Sequence, residues 1–348
     1  MRERRPAVTG ANRAAVTLKT VAQAAGVHTS TVSRALRRVA HDGDAANPRD
    51  LELAELADSM GYVPNPNAAS LTTRRSMAFG VLVPRLTDTV LATVYDALEE
   101  TANRAGYATF VSNTHDDPGE QRRLVSLLLG RAVDGLIIGD ARLDNDNIAR
   151  IREQGAGVVL VSRHCPGAPA VTIDDLAGGR IAGEHLVALG HRRLGVVCGP
   201  LYASTAADRL EGFRSALAAG GVALAPDLIR EEGFDVAAGR RGAQRLLDSP
   251  EPPTAIFAMN DDCAIGVLSV LRERGLTVGR DVSVMGYNDI PISRELTVPL
   301  STVGCPIREM GIRAAEAMLA VVHRLPVSSM TVQPTLVARA TTGRPPAP

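Results

Sequence analysis

From Met77 onward two patterns of apolar and polar positions alternate. Short apolar runs, MAFGVLVP, ATFVSN, VDGLIIGD and GVVLVSR, read as buried strands. Between them, TVLATVYDALEETANRAG, EQRRLVSLLLGRA and DNDNIARIREQG carry apolar residues at helical spacing. After residue 176 the alternation repeats. LAGGRIAGEHLVALG, AADRLEGFRSALAAGG, VAAGRRGAQRLLDS and DCAIGVLSVLRERG predict helices; RLGVVCGP, a run ending near IREEGF, TAIFAMN and VSVMGYND predict strands. Strand–helix alternation implies parallel sheets, and two blocks of it predict two doubly wound α/β lobes. Crossings between lobes are expected near residues 162–175 and 285–305. TVQPTLVARAT reads as one final strand and RPPAP as a frayed end, giving a body over 77–340 and a tail over 341–348.

The first part of the chain is patterned differently. In LKTVAQAAGVHTSTVSRALR, apolar or small residues recur at Val21, Ala22, Ala25, Val27, Val32, Ala35 and Leu36, which gives two helical faces. Gly26 between them suits a sharp turn with positive φ. Thr17 is a cap for the first helix, and His28 or Thr29 opens the second. This is a helix-turn-helix pattern, although an ordinary helical hairpin would share much of it. The second helix would expose Thr29, Ser30, Thr31, Ser33 and Arg34. Short hydroxyls permit close approach to DNA, and an arginine can bind a guanine edge or a phosphate. In NPRDLELAELADSMGYVPN, Asn47 caps a third helix, Pro48 takes its first position and Gly61 stops it. Its buried side would be Leu51, Leu53, Ala54, Leu56, Ala57 and Met60.

Composition sharpens this division. Of 348 residues, 45% are apolar, enough for several cores, and no apolar run is long enough to span a membrane. The net charge is zero, yet residues 1–75 hold 11 basic and 7 acidic side chains, and residues 1–41 hold 8 and 1. A basic head on a mildly acidic body suits a polyanionic partner. The opening MRERRPAVTGANRAAV lacks the apolar stretch of a secretory leader and reads as a basic tail over 1–16. Cys165, Cys198, Cys263 and Cys305 are far apart, which suits reduced thiols, with no metal site expected. Lys19 is the only lysine, so a Walker A loop or a Schiff-base enzyme has no lysine in the right context. HExxH, GxSxG and GxGxxG are missing too. No enzyme activity and no cofactor are expected.

VTLKTVAQAAGVHTSTVSRAL resembles the head of the LacI/GalR family of bacterial transcription regulators. HLVALGHRRLGVVCG, ADRLEGFRSAL, AMNDDCAIGVL and VMGYNDIPIS extend the resemblance over nearly the whole chain. It implies a helix-turn-helix head at 17–63, a hinge at 64–76 and a two-lobed body like the periplasmic sugar-binding proteins. It further implies a homodimer on a palindromic DNA operator, controlled by a sugar-like effector, repressing transcription in the bacterial cytoplasm at the nucleoid, with no membrane involved. A solute-binding protein without a regulatory role would share the body alone. The resemblance makes Thr29 and Ser30 the main base readers and Arg34 a further one, with Thr31 and Ser33 on phosphates and Lys19 and His28 as added DNA contacts. In the hinge, Leu71 would wedge into the minor groove, with Asn65 and Ala68 beside it; Leu71 could equally pack on the body. His28 stands for a capping serine and Thr20 for an acidic residue, both expected to weaken capping. The Arg37–Asn47 link is about four residues longer than the family pattern, a tolerable surface insertion.

Ligands of open α/β sheets bind at the carboxyl ends of the strands. Strand-end polar residues are therefore the effector candidates. Arg209 matches the family's effector-binding arginine, and Asn260, Asn288 and Asp289 match its other polar positions. Asp261 and Asp289 also suit caps of the following helix or turn, and Asp174 and Asp175 suit the entry to the next helix. Ser162 stands where an aspartate is common and Cys305 where a glutamine is. The loop PRLTDTVLATV brings Arg85 and Asp88 and replaces an aromatic run, so no aromatic platform is expected and Arg85 opens the way to an anionic effector.

Overall fold

Local chemistry sets the helix ends of the head in the computed structural model, which describes residues 16–42, 46–63 and 75–347. The chain divides into two units, Met1–Arg74 and Arg75–Pro348. In the first, α1 (Leu18–Ala24) starts in a complete capping box: Thr20 N–H donates to Thr17 Oγ1 at 3.3 Å and Thr17 N–H donates to Thr20 Oγ1 at 2.8 Å. Thr20 thus does what an acidic residue would do, against expectation. Gly26 follows with φ of +66°, a conformation that penalises a Cβ. At the start of α2 (Thr29–Asp42), His28 Nδ1 accepts from Ser30 N–H at 3.3 Å and lies 2.9 Å from Ser30 Oγ. The imidazole keeps the capping function that the missing serine would supply. Asn47 Oδ1 accepts from Asp50 N–H at 3.0 Å and caps α3 (Pro48–Ser59). Val21, Ala22, Val32, Ala35, Leu53 and Ala57 form the core.

The first part of the added length after Arg37 is helical and not loop, because α2 continues to Asp42. Arg38 anchors that extension to α3 through Asp50 at 3.1 Å. Residues 43–45, and the hinge candidates Asn65, Ala68 and Leu71, lie outside the described residues.

In the second unit the chain runs β1 (Ala78–Val83), α4 (Thr89–Arg104), β2 (Ala108–Asn113), α5 (Pro118–Gly130), β3 (Gly135–Ile138), α6 (Asn147–Glu153), β4 (Val158–Val161) and β5 (Ala170–Ile173). It continues α7 (Asp175–Ala188), β6 (Leu194–Cys198), α8 (Ser204–Ala219), β7 (Ile229–Glu231), α9 (Val236–Leu247), β8 (Ala255–Ala258), α10 (Asp261–Glu273), β9 (Ser283–Asn288) and β10 (Ser301–Gly304). It ends α11 (Ile307–Val322), β11 (Met330–Val332) and β12 (Thr335–Val337). Two sheets result, ordered β11-β5-β4-β3-β1-β2 and β12-β10-β9-β8-β6-β7. Pairing is parallel except for β10 with β12. The central strands are buried along their whole length, as helices on both faces require.

The final segment corrects the expectation of a single strand. Gln333 and Pro334 split it, so β11 joins the first sheet and β12 the second. The chain therefore crosses between lobes three times: between β5 and α7, between β10 and α11, and between β11 and β12. Asp174 N–H donates to the Val332 carbonyl at 3.0 Å and Gln333 to the Asp174 carboxylate at 3.3 Å, tying the first crossing to the third. On the far side of the second crossing, α11 packs in the core of the first lobe, where Ala314 and Met318 join the buried cluster of Phe79, Ile137 and Val159. The second lobe extends past residue 340 into the segment read as tail. Thr341 is fully buried and its hydroxyl donates to the Val284 carbonyl at 2.8 Å. Gly343 carbonyl lies 2.9 Å from His191 Nε2.

Candidate functional site

On the head, Lys19, His28, Ser30 and Arg34 are exposed, and Thr29, Thr31 and Ser33 are half-buried. Among the described residues, Arg34 Nε donates only to the Ser30 carbonyl one turn back, at 3.2 Å. No described carboxylate pairs with Lys19, Arg34 or the neighbouring Arg37, so this face keeps its positive charge. The start of α2 adds its positive dipole end. A short-hydroxyl face with unneutralised guanidinium groups is suited to a nucleic-acid groove.

In the body, the strand ends of both lobes frame a cleft. Arg85, Asp88 and Ser162 line it from the first lobe, and Arg209, Asn260 and Asn288 from the second. Six of the sequence candidates thus come together. Asp289 does not. It lies off the cleft, in an ion pair with Arg339 at 2.7 Å. Cys305 also stays out of the lining.

The arginine is built in tightly. Arg209 Nε donates to Asp175 Oδ1 at 2.8 Å, Nη1 donates to the Met259 carbonyl at 2.6 Å, and the guanidinium lies 3.8 Å from the Tyr287 ring centroid. Tyr287 Oη donates to the same Asp175 oxygen at 2.8 Å. Burial alone would disfavour the guanidinium charge; the adjacent Asp175 outweighs it and raises Arg209 above its ordinary value. Asp174 and Asp175 do open α7, Asp174 accepting from Ala177 N–H at 3.0 Å, and Asp175 is in addition the partner of the cleft arginine. Its reach depends on Gly179, where a Cβ would lie 2.1 Å from the Arg209 carbonyl oxygen, so only glycine lets α7 and α8 close up.

The other polar groups are fixed in similar ways. Asp88 Oδ1 accepts from Val90 and Leu91 N–H at 2.9 and 3.2 Å, capping α4 at the cleft edge. Asn260 caps α10 through Cys263 N–H at 2.8 Å and donates to the Phe234 carbonyl at 2.6 Å. Ser162 and Asn288 have φ of 66° and 108°, a backbone uncommon for residues with a Cβ. Asp261 is no simple cap. It is wholly buried and accepts from Ile290 N–H at 2.9 Å, Ser293 Oγ at 2.7 Å and Thr302 Oγ1 at 2.6 Å; burial pushes its carboxyl up to about 6.

Several cleft residues escaped the sequence analysis. Arg163 lines the cleft and forms a two-bond ion pair with Asp116 at 2.6 and 2.9 Å. Thr205 and Phe234 line it from the second lobe. Phe234 overturns the expected lack of an aromatic platform. Its ring packs on Gly199, and Arg163 and Arg85 sit 5.6 and 6.0 Å from its centroid. The signal was faint, a lone phenylalanine in the loop before α9. Arg85 makes no ion pair or hydrogen bond among the described residues, although Asp262 senses both its charge and that of Asp88.

A helix-turn-helix head followed by a two-lobed body with a polar cleft defines a ligand-responsive DNA-binding regulator. Residues 184–342 match the family model of a periplasmic binding protein-like domain. The chain is 32% identical over 308 residues to the HTH-type transcriptional repressor PurR of Haemophilus influenzae (strain PittEE), covering 87% of this chain and 90% of that one. Among solved structures it is similar to the lac repressor dimer bound to operator and the anti-inducer ONPF, with a TM-score of 0.84, 28% identity, and coverage of 95% and 100%. The transcriptional regulator CelR–cellobiose complex gives 0.71, 28%, and 94% and 99%. The chain belongs to the LacI/GalR family and is a DNA-binding transcriptional regulator. No helix among the described residues is long and apolar enough to cross a membrane.

Proposed function

We propose that this protein is a cytoplasmic repressor that binds a palindromic operator as a homodimer and is controlled by a neutral, polyhydroxylated small molecule, sugar-like in chemistry, held between the lobes. It works by binding and not by turnover. Lys19, His28, Thr29, Ser30, Thr31, Ser33 and Arg34 face the DNA. Ser30 and Thr29 approach base edges, and Arg34 makes the directional contact. Two heads related by a two-fold axis match half-sites about one helical turn apart, or a multiple of it. The lac repressor structure, a dimer on operator, and the CelR complex with cellobiose support this assignment by likeness.

The observation that carries the effector assignment is the convergence of Arg209, Asn260, Asn288, Ser162 and Asp88 around a space bounded by Phe234. Amides and hydroxyls exchange hydrogen bonds with sugar hydroxyls, a held guanidinium donates to two oxygens at once, and an aromatic face packs on a ring. An anionic ligand fits less well. Arg163 and Arg209 are already neutralised by Asp116 and Asp175, and Asp88 and Asp262 act against the charge of Arg85.

Two measurements test this. In gel shifts with the DNA upstream of its own gene, binding should be specific and weaken as salt rises; preference for no duplex over random competitor would refute the DNA assignment and leave the solute-binding alternative. Isothermal titration with neutral sugars, sugar phosphates and sugar acids should give heat with a neutral sugar. Binding confined to the acids or phosphates would overturn the effector class.

A further inference from the structure

The two lobes also touch directly, on one flank of the cleft, through polar groups. Leu143 N–H donates to the Tyr202 carbonyl at 2.8 Å. The Arg142 guanidinium lies 3.4 Å from the Tyr202 ring centroid. His164 N–H donates to Ser204 Oγ at 2.9 Å, and His164 Nε2 meets Asp208 Oδ2 at 2.7 Å. His164 follows β4 in the first lobe; Ser204 and Asp208 belong to α8 in the second.

Position along the chain gives this pair its leverage. His164 is two residues after Ser162, which lines the cleft, and Asp208 is one residue before Arg209, which lines the facing wall. The bond therefore ties a segment of one cleft wall to a segment of the other. We propose that His164 is a positioning residue for effector binding, a proton-dependent latch whose bond to Asp208 holds the lobes together over the cleft.

The chemistry follows from exposure and charge. The two side chains are 43% and 33% exposed, so protons exchange freely with solvent. With the imidazole protonated the bond joins two opposite charges; with it neutral, only the carboxylate charge remains and the bond is weaker. The described groups acting on His164 are Asp208, through its hydrogen bond and charge, and Asp175 behind it. Asp175 is bound by Arg209, and the neighbouring Arg163 is bound by Asp116. The hydrogen bond to Asp208 raises His164 above the usual imidazole value, with burial opposing. The latch is therefore tight in mild acid and loosens as pH rises through that raised value.

The chain contains no tryptophan, so Tyr202→Trp places a single reporter at the contact. The experiment uses the full chain without effector, so its failure leaves the role of the cleft untouched. As pH is raised through the histidine titration, tryptophan emission should shift to the red and quenching by acrylamide should increase. Adding Asp208→Asn should abolish that transition. Persistence of the transition in the double variant, or emission that does not change with pH, overturns the proposal. A second measurement avoids the reporter. The His164 ring resonance, assigned through His164→Gln, should titrate above the usual imidazole value in the unmodified protein and fall in Asp208→Asn. A His164 titration unmoved by Asp208→Asn would overturn it equally.

Discussion

Arg34 in the head and Arg209 in the body meet opposite surroundings. Arg34 is exposed and, among the described residues, reaches only the Ser30 carbonyl of its own helix, whereas Arg209 is buried against Asp175, the Met259 carbonyl and the Tyr287 ring. The first keeps its rotamers and its charge for a polyanion that brings its own counter-charge. The second has its ordering cost met within the fold, so it presents a fixed donor edge to a small neutral ligand, which repays little ordering. Among the described residues, the head has a core of six buried residues and leaves its functional side chains free; the body, with four larger cores, builds them in.

Substitution at the two arginines breaks this contrast most sharply. Arg209→Ala strands the Asp175 carboxylate in the core, and the body should lose about 3–5 kcal/mol in denaturant unfolding as well as its effector binding. A loss under about 1 kcal/mol would mean that Arg209 is not built in as described. Next in size is a pH effect confined to the body. The carboxyl of Asp261 is pushed up to about 6, so the folded state holds a proton that the unfolded chain releases at lower pH. Its stabilisation is full below the ordinary carboxyl range and disappears as pH rises toward 6, a change of up to about 3 kcal/mol. Asp261→Asn should flatten that slope in denaturant midpoints measured between mild acid and neutrality; an unchanged slope assigns the effect elsewhere.

Arg34→Ala should do the reverse of the cleft substitution. Stability should stay within about 0.5 kcal/mol, while discrimination between operator and random duplex falls by about 1–3 kcal/mol in competition binding. Retained discrimination would remove Arg34 from the base-reading set. The smallest effect sharpens the account of the head alone. Thr17→Ala opens the capping box and should cost about 1 kcal/mol, seen as faster amide exchange in α1 with body amides unmoved.

How much of this was legible in the sequence varied with the physical signal. Most helices and central strands showed as long periodic segments or apolar runs. β5 and β10, only AVTI and STVG, passed unnoticed inside the stretches where lobe crossings were placed, and α11 was overlooked beyond them. The split between β11 and β12 depends on which sheet edge each half meets, and no local pattern encodes that. Strand-end position brought Arg209, Asn260 and Asn288 to the cleft correctly. It misplaced Asp289, because the competing partner, Arg339, is distant in sequence. Phe234, Arg163 and Asp175 were missed for the same reason: each owes its role to a neighbour, Gly199, Asp116 or Arg209, that only folding brings near.

The passage of α11 and β11 back into the first lobe has a consequence for biogenesis. Phe79 and Ile137 emerge from the ribosome early, yet the helix that covers them is made only after residue 306, when β6 through β10 have already been synthesised. During translation the first lobe therefore waits with the part of its apolar face that α11 takes still uncovered, and it is there that nascent chains should recruit chaperones or aggregate.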